Sequence, residues 1–137
     1  MKLPHLDQLI PLERGEAGLL AQALATLLKD AWPIVYQKRD PGPRLSPGLA
    51  LQLTPLVKLG KRLVARHHQE QARPPKPGKR PPARVLRVHY DELVAVMQNR
   101  TSLYYINLAE VEKLQLQRAL GEFQRHSLNL ECYIKFG

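Results

Sequence analysis

Four groups of residues in this chain could do chemistry. The largest is a set of bases: Lys58, Lys61, Arg62, Arg66, Arg73, Lys76, Lys79, Arg80 and Arg84 fall in one stretch whose only acid is Glu70. Lys and Arg crowded in this way displace counterions from phosphate backbones, and the resulting affinity falls steeply with salt. The second group, His67, His68 and Glu70, suggests a metal site. Adjacent histidines on a helix point about 100° apart and no histidine follows at i+4, so the pair cannot share an ion without distortion. It extends the basic face instead when protonated.

The third group is His89, Tyr90, Asp91 and Glu92, an imidazole beside two carboxylates at an expected strand end, where acid-base residues can sit. Helix capping explains the same residues more simply, with Asp91 as N-cap and Glu92 in the first turn. The fourth is Cys132, the single cysteine. Its parity with Leu130 and Ile134 in an alternating run sends it into a core, where thiols are inert. The chain carries no phosphate-cradling glycine loop, dinucleotide fingerprint or serine-elbow motif. No enzyme activity, catalytic residue, metal or cofactor is therefore expected.

The charge is segregated. Overall the 137 residues hold 21 Lys and Arg against 12 Asp and Glu, a net charge of +9. Residues 41–90 contain eleven bases against Glu70 alone, a local balance of +10, so the rest of the chain is almost neutral at −1. A chain kept soluble by charge would mix both signs, so this separation favours polyanion binding over an ordinary solvated face. An acidic protein surface or an anionic membrane surface would satisfy the same segment. The 44% hydrophobic content is globular, and no apolar run reaches the 18 or so residues of a membrane span, so an integral membrane protein is not expected.

The elements that must hold these groups follow from periodicity. Leu19, Leu20, Ala23, Leu24, Leu27, Leu28 and Trp32 recur at three- and four-residue spacing, which predicts a helix over 13–32 that stops at Pro33. Ser46-Pro47 and Thr54-Pro55 both look like helix starts. The Leu56, Leu59, Leu63 and Val64 stripe favours the second, with a basic amphipathic helix over 55–71. Residues 72–83 hold five prolines and no acid and predict an extended basic linker.

Beyond it, strands are expected at 85–88, 103–108 and 128–136, the last from the alternation of Leu128, Leu130, Cys132, Ile134 and Phe136. A short helix over 91–98 and a longer one over 107–126, opened by Asn107 with Glu110 three residues on, complete a β-α-β-α-β order.

The fold class so predicted is α+β. A helical region at 1–71, a basic proline-rich linker at 72–83 and a small three-stranded sheet with one long covering helix at 84–137 pack as one unit. The function expected is that of a non-catalytic nucleic-acid-associated protein gripping RNA or DNA by its phosphates through the nine bases named first. The alternative is a structural or adaptor subunit of a larger assembly that uses its strand edges and basic connector to meet a protein partner or a second copy. One cysteine and an N-terminal stretch without the layout of a secretory signal suit a cytoplasmic protein.

Overall fold

The structure is a computed structural model that describes residues 6–36, 47–73, 77–78, 83–104 and 106–136. These form strand β1 (Gln8–Leu12), helices α1 (Glu16–Tyr36) and α2 (Pro47–Ala72), strand β2 (Arg84–Val88), and helices α3 (Tyr90–Gln98), α4 (Arg100–Tyr104) and α5 (Glu110–Phe136). The described residues are thus mostly helical, an α+β arrangement with one two-stranded sheet.

The sheet joins the two ends of the α1–α2 region. β1 and β2 are antiparallel, with Gln8 opposite Val88 and Leu12 opposite Arg84. Alternation puts Ile10, Leu12, Leu86 and Val88 in the interior and leaves Leu9 and Val85 exposed. Two strands alone are marginal in water, so this ribbon depends on the helices behind it.

Every element supplies the core. Ile10 and Leu12 of β1, Leu20 and Leu24 of α1, Leu56, Leu59 and Leu63 of α2, Leu86 and Val88 of β2, Leu93 and Val96 of α3, Leu103 of α4, and Leu116, Leu120 and Phe123 of α5 form one buried cluster. Fully burying each such side chain contributes about 1.5–3 kcal/mol. α1 and α2 approach closely at Gly18, where an added Cβ would sit 2.6 Å from Nδ1 of His67.

Two buried carboxylates tie distant elements together. Glu16, at the start of α1, accepts the backbone N–H of Glu13 and both guanidinium arms of Arg118 on α5, the Nε bond measuring 2.6 Å. Its hydrogen bond raises the Arg118 pKa above the ordinary value, against an opposing effect of burial. Glu92 on α3 accepts the His89 N–H at 2.8 Å and the guanidinium of Arg62 on α2.

The structure corrects several expectations. α1 runs past Pro33 to Tyr36, and α2 begins at Pro47 and carries a buried Pro55 inside it. A proline removes one ladder hydrogen bond at a local cost of about 3 kcal/mol, which apolar packing on both sides can offset. The strand expected at 103–108 is replaced by α4, with Leu103 buried, and by an irregular turn at 106–109; Tyr105 lies outside the described residues. A short apolar run fits a buried helical turn as well as a strand.

The strand expected at 128–136 is the end of α5, so the three-stranded sheet does not form. No proline interrupts the chain after Asn107, and Leu116, Leu120, Phe123 and Leu130 make a helical stripe that carries the ladder through. Cys132 is consequently exposed rather than in the core.

Candidate nucleic-acid interface

The bases of α2 divide into two sets according to helical angle. Leu53, Leu56, Leu59 and Leu63 fix which side of the helix is buried. Lys58, Lys61 and His68 lie on the opposite side and are exposed, with Ala65 and Ala72 exposed between and beyond them. This ridge runs about 21 Å from Lys58 to Ala72 at 1.5 Å per residue. The small alanines leave the lysine ammonium groups as its most prominent features.

Arg62 and Arg66 lie on the flank between ridge and core, and both are half-buried. β2 runs antiparallel beside this flank. In an antiparallel ribbon alternate carbonyls face away from the partner strand, and two of those on β2 are taken by α2. Arg66 donates from Nη2 to the Val85 carbonyl at 2.8 Å, and Arg62 donates to the Arg87 carbonyl as well as to Glu92. Both arginines hold the strand to the helix, and Arg62 also neutralises a buried acid.

Glu70, the only acid of the basic segment, is also turned away from the ridge. Its Oε2 accepts the backbone N–H of Gly15 at 3.0 Å, at a turn where Gly15 adopts φ of 90°. Left-handed backbone of this kind favours glycine. Beside it Arg14 donates to the Arg73 carbonyl at 2.9 Å. The end of α2 is thereby docked on the start of α1, while the Arg73 residue itself is exposed.

Arg84 is exposed at the start of β2. Lys76, Lys79 and Arg80 lie outside the described residues, as does most of the 72–83 linker; within it Pro77 and Gly78 form a turn, with Gly78 at φ of 80°. Of the nine bases singled out in the sequence, the fold brings Lys58 and Lys61 together on one face and leaves Arg73 and Arg84 accessible. It draws Arg62 and Arg66 into structural bonds.

The histidines separate in the same way. His68 is on the ridge, whereas His67 faces α1 and its buried Nδ1 has no hydrogen-bond partner. Among the described residues no group of His, Cys, Asp and Glu could hold a metal ion. His89 stands at the end of β2, where its Nδ1 is 3.1 Å from Oδ2 of Asp7, and Arg87 Nε donates to the same oxygen at 2.9 Å. Burial pushes the Asp7 carboxyl up, but the bonds and charges of His89 and Arg87 outweigh it and hold the pKa below its ordinary value. This cluster staples β1 to β2.

The N-cap of α3 is His89 rather than Asp91; Glu92 reaches back from the first turn to bond the His89 N–H. Its role as the buried acceptor for Arg62 had one sequence signal, a Glu three residues beyond a helix start.

Aromatic stacking surfaces are absent from the ridge. Tyr104 packs against the core, and Tyr133 is exposed on α5. No described helix is long and apolar enough to cross a membrane.

A mostly helical α+β domain with a ridge of exposed bases on its longest basic helix is the class these observations define. No family model, curated protein or solved structure matches the chain.

Proposed function

We propose that the protein is a non-catalytic, intracellular nucleic-acid-associated protein that binds RNA or DNA through backbone phosphates. The observation that carries this reading is the segregation of charge: a balance of +10 over residues 41–90 on a scaffold otherwise near neutral. Lys58 and Lys61 form the helical part of the contact surface, Arg73 and Arg84 flank the connector, and Lys76, Lys79 and Arg80 supply its charge. Arg62 and Arg66 serve this surface by holding β2 in place and not by free contact with phosphate.

Phosphate contact without stacking gives affinity with little base preference. Engagement of four to six phosphates makes affinity fall roughly 7- to 40-fold for each doubling of salt. Titration of a fluorescent oligonucleotide at several salt concentrations tests the reading, and affinity indifferent to salt would overturn it.

A further inference from the structure

Arg14 lies outside the basic segment, between Glu13 and Gly15, and the fold carries it to both ends of the connector. Its Nη1 donates at 2.9 Å to the carbonyl of Arg73, where α2 gives way to the connector. At the other end Arg84 opens β2 opposite Leu12, two residues before Arg14. The stretch 74–83 between Arg73 and Arg84 could reach about 33–36 Å if extended. The chain instead leaves and returns at one corner, the turn between β1 and α1.

Three guanidinium groups gather at this corner. Arg84 shares the alternation of Leu86 and Val88, so its side chain leaves the ribbon on the helix side, past the last buried position of β2. The end of α2 sits on that side, held by the Glu70–Gly15 bond at 3.0 Å. Arg73 and Arg84 are exposed and Arg14 is half-buried. Arg14 spends one N–H group on the Arg73 carbonyl, and none of the three bases has an ion pair among the described residues. The neighbouring acids are already engaged: Glu70 accepts from Gly15, Glu16 accepts from Arg118, and Glu13 lies 3.7 Å from Arg118.

We infer that Arg14, Arg73 and Arg84 form a single phosphate-binding corner for the backbone of a nucleic acid, an assignment that rests on the reading proposed above. Arg14 is then a contact that the charge of the basic segment does not announce. A guanidinium can pair with a phosphate through two parallel N–H bonds, a match its planar fork makes and a lysine ammonium does not. The bond to the Arg73 carbonyl holds Arg14 in place before the ligand arrives, so less side-chain freedom is lost on binding.

Oligonucleotide affinity measured over a range of salt tests the corner. Loss of one phosphate contact makes the log–log slope shallower by about 0.7–0.9 and, carried down from 1 M, weakens binding roughly 8- to 15-fold at about 50 mM salt. Arg14→Gln should show both effects, and Arg14→Lys, which keeps the charge, should recover most of the slope. Lys135→Gln removes the same charge at the far end of α5, about 25 Å beyond Arg118, and should leave the slope unchanged. Arg84→Gln, whose side chain makes no bond among the described residues, should repeat the Arg14→Gln loss and keeps the corner testable if the first variant does not fold.

Salt-dependent binding by the unaltered chain, with the slope unchanged in folded Arg14→Gln, would overturn the corner and leave the nucleic-acid reading standing. Binding indifferent to salt in the unaltered chain would overturn both. An equal loss from Lys135→Gln would also overturn the corner, because net charge alone would account for the effect. Poly-glutamate that displaces the oligonucleotide at equal charge concentration would overturn it in favour of an acidic protein.

Discussion

The two sides of α2 carry the same kind of residue to opposite ends. On the ridge, Lys58 and Lys61 stand in solvent with no ion pair among the described residues. On the flank, Arg62 and Arg66 reach the carbonyls of β2, and Arg62 also meets the buried carboxylate of Glu92. The choice of side chain fits each use. A guanidinium offers several donors in a fixed plane and can serve a carbonyl and a carboxylate at once, whereas an ammonium on a flexible stem is a mobile point charge. One turn of helix therefore separates bases that build the fold from bases left exposed to solvent.

That contrast predicts very different costs for removing a positive charge. Arg62→Ala strands the Glu92 carboxylate, which is 1% exposed, and should destabilise the protein by about 3–5 kcal/mol in urea unfolding. A cost below 1 kcal/mol would mean that the flank is as dispensable as the ridge. Gly18→Ala, which presses a methyl group to within 2.6 Å of the His67 ring, should cost about 1–3 kcal/mol by the same measurement.

Acidification gives a smaller effect with a defined sign. Burial, with a further push from Arg125 against an opposing pull from Glu122, lowers the His126 pKa from its ordinary value of 6.5. The ring stands against β1, with Nδ1 3.1 Å from Gln8 Oε1 and Nε2 buried without a partner. The fold thus prefers the neutral ring. Its contribution to stability is present above pH 6.5 and is lost as pH falls through the lowered value in the folded state.

A second loss follows at lower pH, as Asp7 is protonated through its own depressed pKa and releases His89 and Arg87. Urea midpoints measured from pH 8 to 3 should fall in two stages, and His126→Gln should remove the upper one.

The smallest effect on stability belongs to the ridge itself. Lys58→Ala and Lys61→Ala should each change unfolding free energy by no more than about 0.5 kcal/mol. A larger loss would show that the ridge also supports the fold.

How much of this was legible in the sequence depends on how local each feature is. The stripe of α1, the leucine face of α2 and the β-branched run of β2 follow from spacings within one element, and they stand close to where periodicity puts them. β1 was missed because Pro11 weakens it as a strand and its partner lies on the far side of both long helices. Proline is compatible with an edge strand, and only the pairing with β2 reveals that this is one.

Residues 128–136 alternate as a strand should, yet they also continue the helical spacing from Phe123 to Leu130. The helix prevails because Leu130 extends the buried stripe of Phe123, while residues 131–135 stand exposed and have no buried strand face to fill. The candidate interface was half legible for the same reason. The charge count marks the segment, but nothing in it reveals that β2 lies along α2, which is what takes Arg62 and Arg66 out of the exposed set.

On the proposed reading, Lys58 and Lys61 are free to meet a polyanion while the neighbouring arginines hold the fold together. The most direct measurement is the salt dependence of oligonucleotide affinity for the unaltered chain and for K58Q/K61Q, with unfolding followed in parallel. The claim predicts unchanged stability and a log–log salt slope shallower by about 1.4–1.8, the loss of two phosphate contacts. An unchanged slope and affinity in a fully folded double variant would contradict it.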